Sequence, residues 1–174
     1  DRASAQLSTC ATLSDMRFSL PNEGVLVAPL VAKIKRIVES FKIRDGSGAM
    51  RVAMALDEAL QNAMLHGNLE VSSRLREGDD ANAFYALATE RRQLSPFKDR
   101  RVNVRVLVTP EKAEITIADE GPGFDPGKIP DPTDPAYLDR PCGRGLWLIH
   151  AFIDEVRHNP AGNEITMILR RQQE

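Results

Sequence analysis

The chain has 174 residues, 42% of them hydrophobic and 28% charged, a balance that fits one folded domain and excludes a wholly disordered chain. Its 23 basic and 25 acidic residues leave a net charge of −2, which argues against a dedicated nucleic-acid binder. No apolar run reaches the ~20 residues of a membrane span, and Cys10 and Cys142 form no CxxC pair, so neither a disulfide framework nor a zinc site is expected and a reducing cytoplasm fits best.

Residues 1–14 are small and polar and read as a linker or boundary, as if residues 15–174 were one domain of a longer multidomain protein. Residues 16–20 alternate apolar and polar and predict a strand. Residues 25–41 carry Leu30, Ile34, Ile37, Val38 and Phe41 at helical spacing, with Pro29 tolerable only near the helix start. After the loop 45–48, with Ser47 as an expected N-cap, residues 49–66 predict the strongest helix, closed by Gly67 and Asn68 as a C-cap pair. Residues 72–93 predict two short surface helices with a narrow apolar stripe of Ala81, Phe84, Tyr85 and Ala88.

Val102, Val104, Val106 and Val108, a turn at 109–112 and the alternation of 114–119 predict a hairpin. Residues 121–145 are rich in glycine and proline and form a loop long enough to be functional. Residues 146–152 predict a short apolar helix, and 155–158 and 164–170 a closing hairpin. Helices do not alternate regularly with strands, so the expected class is α+β: a mixed, mainly antiparallel sheet with helices on one face.

Three segments carry chemistry. On the helix 49–66, Val52, Leu56, Ala59 and Ala63 share one face, and Glu58, Asn62 and His66 follow at i, i+4, i+8 beside it. A carboxylate and an amide one turn apart can offer two oxygens to Mg²⁺, although such a stripe alone also reads as a solvated helix edge. Asp119 alternates with Ile115 and Ile117, which aims a carboxylate at the core side, where it needs a partner; a purine amino group is one. Gly121 and Gly123 let the backbone turn close to a ligand, or simply end the strand. Gly143, Arg144 and Gly145 open the last helix, a turn suited to cradling phosphate or to hinging.

Taken together and in order, the three segments resemble the nucleotide-binding boxes of the GHKL ATPase superfamily. Glu-Ala-Leu-Gln-Asn-Ala-Met-Leu-His-Gly (58–67) is similar to the N-box of its anti-sigma-factor serine/threonine protein kinase branch, Asp-Glu-Gly-Pro-Gly-Phe (119–124) to the G1 box, and Gly-Arg-Gly-Leu-Trp-Leu-Ile (143–149) to the G2 box. The resemblance covers about residues 16–170. It implies a two-layer α/β sandwich of the Bergerat type that uses ATP and Mg²⁺. By position it implies Glu58 as the catalytic carboxylate, Asn62 as the Mg²⁺ holder and Asp119 as the adenine anchor. Gly121 and Gly123 would shape the adenine pocket, and Gly143, Arg144, Gly145 and Leu146 would form the phosphate lid. Thr166 resembles a family threonine near adenine, with its facing left open by strand alternation, and His66 is given a structural role.

The implied activity is phosphorylation of a serine or threonine on an anti-anti-sigma partner, with a competing interaction that sequesters a sigma factor. A homodimer is expected, and neither nucleic acid nor membrane. The alternative is a non-catalytic docking module with a degenerate ATPase fold; a histidine-kinase catalytic domain is a third reading, disfavoured because the Asn-Ala-Met-Leu-His-Gly ending (62–67) of the N-box resembles the serine-kinase branch more. Two departures stand out: an insert at about residues 70–100, and a proline-rich, acidic lid that is expected to be ordered by bound Mg·ATP.

Overall fold

The computed structural model describes residues 10–76, 81–128 and 144–172. Strand β1 (Ser14–Leu20) is followed by helix α1 (Val27–Ser40), entered through one 3₁₀ turn, and by helix α2 (Gly46–Gln61). Pro29 falls in the first turn of α1, where its missing N–H has no partner to lose. The insert contributes a 3₁₀ turn (Ser73–Arg76) and helix α3 (Ala81–Arg91). Then come the hairpin β2 (Val102–Val108) and β3 (Lys112–Ala118), helix α4 (Arg144–Phe152), and the hairpin β4 (Glu155–His158) and β5 (Glu164–Arg170).

The five strands make one sheet in the order β1-β2-β3-β5-β4. All four pairings are antiparallel, so the described sheet is not mixed. Alternation assigns the two faces. Val104, Val106, Ile115, Ile117, Ile165, Met167 and Leu169 point into one core, where they meet Leu30, Ile34 and Val38 of α1, Val52, Leu56, Ala59 and Leu60 of α2, and Ile149 of α4. The other face carries Asp15, Arg105, Thr116, Glu155 and Arg170, with ion pairs across neighbouring strands such as Asp15–Arg105 and Glu155–Arg170. The result is two layers, helices on one side of the sheet, in agreement with the expected α+β class.

Two helix boundaries differ from expectation. The N-cap of α2 is Asp45, not Ser47; Ser47 lies in the first turn, and no side chain caps the helix. At its other end α2 does not stop at a glycine cap. It runs on as a π-helical turn, Asn62–Asn68, so Gly67 lies inside the helical run. The insert also departs from a surface-laid pair of helices. Phe84 and Ala88 are fully buried with Leu69 and Val71 in a second small core, flanked by Leu65, Leu87 and Phe97, whereas Tyr85 stays exposed.

One buried charge joins the ends of the helical layer to the sheet. Arg44, between α1 and α2, donates from Nη2 to both oxygens of Asp154 at 2.6 and 2.7 Å, and from Nη1 to the carbonyls of Ile43 and Arg170. Asp154 in turn accepts the Arg170 N–H at 2.7 Å.

Candidate nucleotide site

The site forms where α2, the β3 exit and α4 converge. Glu58 and Asn62 are one turn apart at the C-terminal end of α2, both half-buried. The first turn of α4 lies against them: a Cβ built on Gly145 would sit 2.5 Å from Glu58 Oε2 and 3.6 Å from Asn62 Nδ2. Glycine there lets the helix start approach the Glu58 carboxylate without displacing the end of that side chain. A groove of about 300 Å³ opens on the outer side of Glu58, lined by Ala53, Met54, Asp57, Glu58 and Leu148.

The π-helical turn changes the third member of the stripe. Hydrogen bonds that reach five residues instead of four rotate each later side chain away from the α-helical register. His66 therefore leaves the Glu58–Asn62 line. Its Nδ1 bonds the Val71 carbonyl at 2.5 Å and its ring packs on Phe84, 6.1 Å between centroids. It is a structural residue that attaches the insert to the helix end.

The same turn carries Gly67 over Asp119. A Cβ on Gly67 would collide with the Asp119 carboxylate, and one on Gly121 would collide with the Gly67 carbonyl. Asp119 is half-buried just beyond β3. Its Oδ1 accepts the Gly121 N–H at 2.9 Å, and no side-chain donor bonds either oxygen among the described residues. Burial is the dominant influence and pushes its pKa up from 3.8 to about 6; the Gly121 N–H and the nearby Arg100 charge oppose the rise. A carboxylate held in a cleft between two glycines and short of donors fits an amino group brought by a ligand.

Gly123 does not open into that cleft. With φ +71°, it lies against the Ala161 carbonyl, while Gly162, φ +73°, lies against Phe124. These two left-handed glycines lock the 119–124 loop onto the β4–β5 turn. The Phe124 ring meets His158 edge-on at 5.4 Å, and burial, with His150 nearby, lowers the His158 pKa.

Thr166 needs a correction. It pairs with Thr116 in the β3–β5 register, their hydroxyls 3.2 Å apart, on the sheet face opposite the helices. Asp119 continues the Ile115–Ile117 side, so Thr166 is on the wrong face for the site. The β5-side residue that does reach Asp119 is Asn163: its carbonyl accepts the Asp119 N–H at 2.9 Å and its Nδ2 donates to the Asp119 carbonyl at 3.2 Å. Leu146 packs against the main core. Gly143 and the lid residues 129–142 lie outside the described residues, as does the Arg144 side chain.

Sequence reasoning missed Asn68, Asn22 and Arg100. Asn68 is fully buried directly after the His-Gly pair; its Oδ1 accepts the Glu120 N–H at 2.7 Å and its Nδ2 donates to Asn22 Oδ1 at 2.9 Å. An asparagine adjoining the box was the available signal; the partner 46 residues upstream had none.

Among the described residues no cluster of three or more His, Cys, Asp or Glu could hold a metal unaided. An ion here would share Asn62 with a ligand's phosphates, as Mg²⁺ commonly does. No helix among the described residues is long and apolar enough to cross a membrane.

Among curated proteins none matches the chain. One solved structure that resembles it is that of the RsbU and RsbW domains of Rv1364c from Mycobacterium tuberculosis, with 14% identity and a TM-score of 0.48, covering 91% of this chain and 32% of that one. This chain thus spans about a third of that structure's length. The model of the histidine kinase-like ATPase domain matches residues 21–169, which take in the helical layer and strands β2 to β5 but not β1, and include Glu58, Asn62, Asp119 and Gly145, and the chain belongs to that family.

Proposed function

We propose that the chain is an ATP-dependent protein serine/threonine kinase domain of the anti-sigma-factor type, acting on a hydroxyl of an anti-anti-sigma partner that competes with a sigma factor. The observation that carries the reading is the convergence of Glu58, Asn62 and the glycine start of α4 at one end of the helical layer, beside a donor-poor Asp119 carboxylate.

Phosphoryl transfer asks a protein mainly to position its reactants and to neutralise charge. Asp119 accepts the adenine amino group. Asn62 would hold Mg²⁺ through its amide oxygen, and the ion, when bound, would supply charge neutralisation at the phosphates. The N–H groups at the start of α4 form the anion-binding end, and the resemblance would add Gly143 and the Arg144 cation to it. Glu58 takes the proton of the attacking hydroxyl, or orients that hydroxyl, and the groove beside it leaves room for a segment of another protein to reach the carboxylate.

Incubation with labelled ATP and a candidate anti-anti-sigma protein tests this. Acid-stable label on serine or threonine, lost in Glu58→Gln, is the expected result. Acid-labile label would indicate histidine phosphorylation. ATP and partner binding with no transfer would make the chain a docking module.

A further inference from the structure

The base of the insert and the adenine end of the site share one polar cluster. Arg100, two residues before β2, donates from Nη1 to the Asn68 carbonyl at 2.8 Å and to Glu70 Oε1 at 2.7 Å, closing the insert at its two ends. Its guanidinium also lies over the Phe97 ring, 5.2 Å from the centroid. Asn22 is 5% exposed; its Nδ2 donates to the carbonyls of Phe97 and Arg100, and its own carbonyl accepts from Arg92 Nε.

Two contacts join this region to the residue after Asp119. Asn68 Oδ1 holds the Glu120 N–H, and Glu120 Oε2 accepts the Arg101 N–H at 2.6 Å. Asp119 is fixed on its other side by Asn163. The Asn68–Glu120 bond thus fixes the insert side of the turn that carries the Asp119 carboxylate under Gly67.

We propose that Arg100, acting through the buried Asn68 whose carbonyl it binds, is a positioning residue that sets the Asp119–Gly121 turn, so that the base of the insert governs selectivity for the adenine amino group. The proposal rests on the nucleotide reading above. A purely structural role for Arg100 would change fold stability but would affect all purine nucleotides alike. A positioning role acts on the one contact that distinguishes adenine from a purine lacking the amino group. Arg100 is also the cation that bears on Asp119. The other charged groups near the turn are Glu70, already paired with Arg100, Arg91, which donates to the Leu69 and Glu70 carbonyls, and Arg101 and Glu120, joined by the Arg101 N–H to Glu120 bond; the flanking Gly67, Asn68 and Asn163 are uncharged.

The test uses the whole chain, with Mg·ATP and Mg·ITP (inosine triphosphate, which lacks the amino group) titrated by calorimetry into wild type, Arg100→Ala and Arg100→Lys. In Arg100→Ala, ATP affinity should fall about tenfold and ITP affinity less than about twofold, with partial recovery of the ratio in Arg100→Lys. The Asp119 carboxyl, followed by carbon NMR without nucleotide, should titrate higher in Arg100→Ala than in wild type. An unchanged ATP-to-ITP ratio in a wild type that prefers ATP would overturn the positioning role alone. A wild type that binds neither nucleotide would overturn the nucleotide reading, and the proposal with it. An Asp119 midpoint that does not move would remove Arg100 from the turn, whatever the binding.

Discussion

Gly67→Ala sets two effects against each other at one atom. In a helical run, alanine is favoured over glycine by up to about 1 kcal/mol. But the new Cβ would sit 2.6 Å from Asp119 Oδ2 and nearer still to Oδ1 and Cγ. No real Cβ approaches that closely, so one partner must move. The π-helical turn is tied by Asn68 to Glu120 and by His66 to Val71, which leaves the Asp119 side chain to rotate out of the cleft. Losing a hydrogen bond to a charged acceptor costs about 1.5–3 kcal/mol, or about 10- to 150-fold in affinity. Calorimetric titration with Mg·ATP should show that loss. The melting temperature should stay near wild type, because the propensity gain offsets part of the local strain. Wild-type ATP affinity in Gly67→Ala would refute the reasoning: either the carboxylate does not hold adenine, or the helix end is looser than its hydrogen bonds imply.

Glu58→Gln keeps shape and removes a proton acceptor, so phosphotransfer should fall by at least ~100-fold with ATP affinity nearly unchanged, as a single-turnover assay beside a binding isotherm will show. Asn62→Ala should weaken ATP binding in the presence of Mg²⁺ and have little effect with the metal chelated. Arg44→Met strands the Asp154 carboxylate; because Asp154 is about one-third exposed, the loss should be about 2–3 kcal/mol, seen as a melting temperature lower by roughly 4–12 °C. The raised Asp119 pKa of about 6 gives two opposite pH trends. The ionised form accepts the adenine amino group, so the ATP-to-ITP affinity ratio should be full above pH 7 and fall as pH drops through about 6. The nucleotide-free fold disfavours that same ionised form, so its stability should decline as pH rises from 3.8 to about 6.

Much of this architecture was legible because it depends on local periodicity. The stripe Val52, Leu56, Ala59 and Ala63 faces the core as its 3.6-residue spacing requires, and Val102 to Val108 alternate as a half-buried strand must. What was not legible depends on partners distant in sequence. The facing of Thr166 follows from its pairing with Thr116, a register that β5 alone does not specify. The π-helical turn arises where the end of α2 must seat Gly67 on Asp119, a demand set 52 residues downstream. Phe84 read as part of a surface stripe because the residues that bury it, Leu69 and Val71, belong to a different segment. The Asn22–Asn68 bond has no local signature at all.

The central claim is that a half-buried carboxylate between Gly67 and Gly121 holds adenine. The most direct measurement is a calorimetric titration of Mg·ATP into wild type and Asp119→Asn. The substitution preserves size but lets an amide donor face the amino group. Stoichiometric binding by wild type, weakened by about 1–3 kcal/mol in Asp119→Asn, is the predicted result. Equal affinity in the two proteins, or no binding by wild type, would contradict it.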